Sequence, residues 1–369
     1  KLYNMNLLTL GDFFKVRYGK TTELVASIFL GPPYIGYIAA QLVAMGLILK
    51  VVTGMEVWEG VVISAAVVTL YTYVGGMWAI TLTDFIQTII IIVGLAVVAV
   101  VMAVKAGGVG NVLSQVPRGS LQFLPPPDFK EIVAWLAAWA VLGLGSIPSQ
   151  DVFQRSMSSN SMHTAVWSCY IAALLYLTIA MLPLFIGLCT RHLYPEQIQG
   201  DTQLALPNMV LAHTALPIQI LFFGSLLSAI MSTTSSVILA PAALLSENLI
   251  RPLTHNRLSD KQMVVITRVS VLLYSVVATI LACMRTNIYE LVGDSSILSL
   301  VSLFAPLTFG LYWKRASSVG ALLSMALGML TWIIFEFYET TWPSLVPATL
   351  VSILAMIVGS FVWPKKEKS

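Results

Sequence analysis

Hydroxyl groups, not acids or metal ligands, are the chemistry-bearing side chains that this 369-residue chain clusters. Ser225, Ser228, Ser232, Thr233, Thr234, Ser235 and Ser236 crowd a single apolar stretch. The serines at 225, 228, 232 and 235–236 recur every three or four residues, so on a helix they share one face. Oxygen ligands at that spacing suit a hard monovalent cation, because they replace its hydration shell. The same residues also suit close helix packing, or hydroxyls bonded back to carbonyls one turn earlier. Spacing alone leaves both readings open. A second candidate is the stretch Gly143-Leu144-Gly145-Ser146-Ile147-Pro148-Ser149-Gln150, too rich in glycine and proline to stay helical to its end. Broken helices at membrane depth survive only where they line a cavity or are buried in protein, and in transporters they tend to mark the solute and ion site. A kinked packing helix is the alternative.

Other chemistries find little support. Asp84, Asp151 and Asp294 lie at the ends of apolar runs and none at a centre, which disfavours a proton relay built on intramembrane carboxylates. Arg268, early in its run, is expected to snorkel to the interface. The four histidines, His163, His192, His213 and His255, fall at predicted loops or helix ends. Cys169, Cys189 and Cys283 show no metal-ligand spacing and read as small packing residues. No enzyme-like nucleophile–base pair or metal pattern is present, no cofactor is expected, and a net charge of +3 gives no reason to expect a nucleic-acid partner.

The elements that must position these groups follow from composition. Apolar residues make up 57% of the chain and charged residues 10%, too few charges to cover a soluble surface. Hydrocarbon must supply much of the solvent, which requires apolar runs of about 20 residues. Ten are predicted, at about 24–50, 57–76, 80–104, 129–149, 163–189, 216–246, 262–284, 289–312, 317–337 and 344–363. Gly31-Pro32-Pro33 should kink the first. With both ends cytoplasmic, thirteen Lys and Arg fall on the inner side, among them Lys15, Arg17, Lys314, Arg315 and Lys365, against six outside. The positive-inside rule thus favours that orientation in a plasma (inner) membrane. Residues 1–369 read as one transmembrane domain, with 1–23 a cytoplasmic loop and 364–369 a cytoplasmic tail. The first residue is Lys1 and no apolar leader opens the chain, so N-terminal sequence is expected to be missing.

Tyr71-Thr72-Tyr73-Val74-Gly75-Gly76-Met77-Trp78-Ala79, followed by Thr83-Asp84 and Gln87, resembles the sodium:solute symporter family, where a Gly-Gly pair makes an inter-helix turn before a Thr-Asp helix head. Three further stretches match in order: Leu8–Phe14 with Arg17-Tyr18-Gly19, then Ala229-Ile230-Met231-Ser232-Thr233, then Gly310-Leu311 with Lys314-Arg315 and Gly320-Ala321. Within the family, Ile147 to Arg155 with Ser158-Ser159, Phe222-Phe223-Gly224 and Asp260-Lys261 are similar to the high-affinity choline transporter branch.

The resemblance implies an all-α membrane protein with the leucine-transporter-type bundle of two five-helix inverted repeats. The ten spans would then be core helices three to ten plus two peripheral ones, with core helices one and two missing. It implies a sodium site whose visible half is the carbonyl of Ala229 and the hydroxyls of Ser232 and Thr233. It aligns the broken fourth span with core helix six, so that Gly145, Ser146, Ser149 and Gln150 should line the solute site, and it puts Tyr37 on an aromatic wall. Ser149 stands where the choline branch has a tryptophan, which favours an amino acid or betaine-like solute over a choline-like one. The function implied is sodium-coupled symport of a small organic solute by alternating access. The alternative is a symporter-like membrane sensor working with a separate signalling partner.

Overall fold

The computed structural model describes residues 1–117, 119, 122–255, 257–338 and 342–365. Arg118, Glu339 and residues 366–369 of the expected tail lie outside these, as do the side chains at 76, 78 and 79. Helices carry the described chain throughout. α1 (Leu10–Tyr18) and α2 (Lys20–Leu30) precede α3 (Pro32–Thr53), and the long α4 (Val57–Lys105) is followed by the short α5 (Val109–Ser114). α6 (Phe129–Gly145) and α7 (Gln150–Met157) form a pair bent by 42°. Then come α8 (Met162–Thr178), α9 (Met181–Leu193), α10 (Ala205–His213), α11 (Leu216–Leu244), α12 (Arg251–Leu253) and α13 (Asp260–Met284). The order closes with α14 (Ile288–Ser299), α15 (Ala305–Tyr312), α16 (Ser318–Phe337) and α17 (Leu345–Val362). π-helical turns over Leu245–Ile250 and Leu300–Phe304 join α11 to α12 and α14 to α15.

Among the described residues nine stretches are long and apolar enough to cross a membrane, and the bent α6–α7 pair makes a tenth. Each expected span therefore has a helical counterpart. The outer faces suit lipid: on α8, Trp167, Tyr170, Leu174 and Leu177 are all more than half exposed. At Gly31-Pro32 the interruption is slight: α2 ends at Leu30 and α3 starts at Pro32, but Gly31 keeps helical dihedrals and Lys20–Thr53 runs on as one apolar span.

α4 differs from expectation in an instructive way. Its helical pattern is unbroken from Val57 to Lys105, where two spans and a tight turn were expected. Yet the path must reverse. Tyr71 donates to the Met231 carbonyl at 2.8 Å while Asp84 accepts from Ser232 at 2.6 Å, although a straight helix would hold 71 and 84 about 20 Å apart. α4 is a hairpin whose bend stays helical.

Residues 1–23, expected to be a connecting loop, hold α1 and the start of α2. Thr9 and Asp12 form a reciprocal capping box at the α1 N-terminus, worth about 1 kcal/mol. Leu10, Phe13, Phe14 and Tyr18 then bury against Leu244, Leu303, Leu307 and Met325. Arg17 donates to the terminal carbonyls of Gly310, Trp313 and Lys314, closing the end of α15. Burial pushes the Tyr18 phenol above its ordinary value, keeping it the donor to the Pro306 carbonyl at 2.7 Å.

The packing has the symmetry of inverted repeats. α3 packs on α14 as α11 packs on the second arm of α4, where a Cβ on Gly94 would stand 2.6 Å from Ser225 Cβ. α3 also meets α13, as α11 meets the first arm of α4 through Tyr71. α16 and α17 pack along each other outside this set and cover the π-helical turn at Leu300–Phe304.

Close approach sets the tolerance of this packing. A Cβ on Gly328 would lie 2.1 Å from the Val301 carbonyl oxygen, whereas one on Gly143 meets nothing within 4 Å. Gly328→Ala should therefore destabilise the protein by about 1–3 kcal/mol, and Gly143→Ala should be neutral or stabilise by up to about 1 kcal/mol. Thermal unfolding of the detergent-solubilised variants checks this; equal midpoints would contradict the packing described.

Candidate functional site

The hydroxyl stripe of α11 divides into two parts with different work. Ser225 is buried against Gly94 and bonds back to the Phe222 carbonyl, a packing role. Thr234 is buried and spends its hydroxyl on the Ile230 carbonyl at 2.6 Å. Between these two positions, Ser232 donates to Asp84 Oδ1 at 2.6 Å and the exposed Thr233 donates to the Ala229 carbonyl at 3.1 Å.

These two bonds fix the chemistry. A hydroxyl has one proton and two lone pairs, and an ionised carboxylate can only accept. With its proton given to Asp84, Ser232 presents lone pairs to its surroundings. Thr233 does the same after donating to the Ala229 carbonyl, which within the continuous α11 also receives the Thr233 N–H, so a cation would have to compete for that oxygen. Two hydroxyl oxygens thus keep lone pairs that a hard cation can use, with the shared Ala229 carbonyl oxygen about one helical turn away.

Asp84 and Arg155 were not singled out for this site from the sequence. Asp84, in the second arm of α4, also accepts from Arg155 Nη2 at 2.6 Å. The same nitrogen reaches Ser236 Oγ at 2.5 Å and the Ser232 carbonyl at 3.5 Å. α4, α7 and α11 are tied at one point. A signal did exist: both charges fall at the inner ends of predicted spans, on one side of the membrane.

The break between α6 and α7 gathers the solute candidates unevenly. Gly145 is buried with its Cα against α14, where a Cβ would come within 2.5 Å of the Ser296 carbonyl oxygen. Tyr37 on α3 bonds Ser296 Oγ at 2.5 Å, so Tyr37 and Gly145 converge on one residue of α14 that sequence reasoning had missed. Ser146 bonds back to the Leu142 carbonyl. Ser149 is half-buried at the start of α7 and makes no capping hydrogen bond.

Tyr34 does the capping instead. Its hydroxyl accepts from the N–H groups of Gln150 at 2.7 Å and Asp151 at 3.2 Å, and donates to Asp151 Oδ1 at 2.8 Å. Gln150 points away from the break: it is fully buried, and its Oε1 accepts from the Leu10 N–H at 2.7 Å, at the start of α1. α7 is therefore held at both ends, by Tyr34 at its N-terminus and by Asp84 through Arg155 one turn later.

Comparison with known proteins bears on the family and the fold. The family model for the sodium:solute symporter family matches residues 1–328. A human high-affinity choline transporter is 29% identical, the match covering 87% of this chain and 57% of that protein; its Caenorhabditis elegans counterpart is 27% identical over 89% and 59%. The chain thus spans less than two thirds of these choline transporters. The sodium/proline symporter of Escherichia coli is 27% identical over 98% of this chain and 74% of that protein. A solved structure of a Na+-coupled sialic acid symporter, substrate-bound and outward-open, superposes with a TM-score of 0.85 over 99% of this chain and 80% of its own, at 16% identity, and so shares the fold. That fold is the leucine-transporter-type bundle, and its long apolar helices make the chain a multi-pass membrane protein. It belongs to the sodium:solute symporter family.

Proposed function

We propose that the protein is a sodium-coupled symporter of a small organic solute, working by alternating access. The observation that carries this reading is the set of three oxygens on α11, the Ala229 carbonyl and the Ser232 and Thr233 hydroxyls, whose protons are already committed to protein acceptors. Such a set supplies one side of a ligand shell for sodium. The coupling would follow if sodium bound one of the two access states more tightly, since an ion shifts an equilibrium only by its differential affinity. The charge distribution supports an orientation with α1, the end of α15 and the start of α16 on the cytoplasmic side of the plasma (inner) membrane.

The solute site is assigned to the α6–α7 break, with Tyr37 and Ser149 facing it. Ser149 lacks a capping partner, so its hydroxyl is free to bond a carboxylate or amide. A zwitterion, amino-acid or betaine-like, fits a serine there better than a bare quaternary ammonium, which an aromatic wall would favour. The relatives support both classes, since choline transporters and proline symporters match alike.

Two measurements test this. Ser232→Ala with Thr233→Ala should raise the sodium concentration for half-maximal solute uptake by tenfold or more, about 1.4 kcal/mol. Thr234→Ala, whose hydroxyl serves only the helix, should leave it unchanged; indistinguishable sodium curves for the double variant would reject the ion site. For the solute, Ser149→Trp should weaken the native zwitterion and improve choline competition by about thirtyfold, the worth of roughly 2 kcal/mol of cation–π attraction. Tight choline binding by the unmodified protein would refute the assignment of Ser149.

A further inference from the structure

A groove of about 1550 Å³ opens at the α1 end of the bundle, where α1, the α15–α16 connection and the end of α17 meet. Its charge is one-sided. Lys15, Arg17, Lys314, Arg315 and Lys365 line it, and among the described residues no carboxylate does. Lys15 is partly compensated by Glu23, 3.4 Å behind it. For Lys314, Arg315 and Lys365 no carboxylate among the described residues lies within ion-pair distance.

Arg17 adds a second, independent feature. Its Nε and Nη2 are spent on backbone carbonyls, which leave its charge uncancelled, and its Nη1 is buried with no hydrogen-bond partner. A donor held out of water without an acceptor costs free energy unless an acceptor arrives from elsewhere. The groove walls are apolar beside the charges: Val16, Phe361, Val362 and Trp363 are each more than half exposed. An aromatic–aliphatic rim at helix ends, next to fixed cations, belongs to the level where headgroup meets acyl chain.

We propose that this groove seats the phosphate headgroup of an anionic bilayer phospholipid, with Lys314, Arg315 and Lys365 around the phosphate and the acyl chains along Val16, Phe361 and Val362. The exposed apolar wall argues for a lipid over a soluble anion, which would have no use for it. The site is separate from the α11 oxygens and the α6–α7 break, and it does not depend on which solute is carried. It also gives Lys314-Arg315, part of a family-like motif with no place in the ion or solute site, a physical task.

The test uses the full chain purified in detergent and equilibrated with phosphatidylcholine alone or with phosphatidylcholine plus phosphatidylglycerol. Native mass spectrometry reads the retained lipid and thermal unfolding reads its stabilising effect. Phosphatidylglycerol should be retained in preference to phosphatidylcholine. Each neutralised cation should weaken retention about fivefold, so Lys314→Gln with Arg315→Gln should give about 25-fold. Lys365→Gln, at the exposed edge, should give about fivefold and serves if the double variant does not fold. Lys130→Gln with Arg191→Gln, the same charge loss at the opposite end of the bundle, should change nothing. Equal retention of the two lipids, or undiminished phosphatidylglycerol retention in the groove variants, would overturn the proposal. So would inorganic phosphate alone reproducing the full stabilisation, which would assign the groove to a soluble anion.

Discussion

Every interruption of a helix inside hydrocarbon releases backbone groups that water cannot reach, and each one left unpaired costs several kcal/mol. This bundle is interrupted repeatedly, and several of its long-range side-chain bonds fall where the interruptions are. The Tyr34 hydroxyl takes the first N–H groups of α7 after the α6 break. Arg17 takes carbonyls left open at the end of α15. Gln150 takes the Leu10 N–H at the head of α1. Each partner comes from another segment, so the breaks join the fold together even as they divide the helices.

The candidate site inherits its geometry from this arrangement. α7 is eight residues long, too short to be stable by itself. It persists because Tyr34 holds its first turn and Arg155 ties its second to Asp84, Ser232 and Ser236. The break proposed for the solute and the hydroxyls proposed for the ion are thereby the two ends of one short strut. Displacing either end moves the other, which is the mechanical requirement for coupling two ligands.

What the sequence made legible were properties of contiguous stretches. Apolar length gave the ten spans, Gly143–Pro148 gave the bent break, and Gly31-Pro32 marked an interruption that is only slight. The first turn of α1 was also readable: Thr9 and Asp12 have capping-box spacing, and Leu10, Phe13 and Phe14 share a helical face. Its shortness and polar neighbours made it look like a loop. What stayed hidden depends on pairs distant in the chain. Asp84 and Ser232 are 148 positions apart, and no local pattern announces that the carboxylate would take the hydroxyl proton. Gln150 was hidden differently, because its position beside the break was plain while the direction of its side chain was set by α1. Likewise Ser225 and Ser232 share a stripe, and only the presence of Gly94 opposite one and Asp84 opposite the other separates packing from chemistry.

The glycine contacts have a consequence for how such a bundle can change shape. A Cβ on Gly60 would stand 2.9 Å from the Gly46 Cα, and one on Gly359 would stand 2.7 Å from the Gly320 Cα. Backbones that close leave no layer of side chains to slide or roll upon. α3 with the first arm of α4, and α16 with α17, are in effect stiff plates, each with a welded seam. Any change of shape should concentrate where the helical ladder is interrupted and bent, at residues 146–149 between α6 and α7. The protein's degrees of freedom are those of a few hinged plates, far fewer than its number of helices.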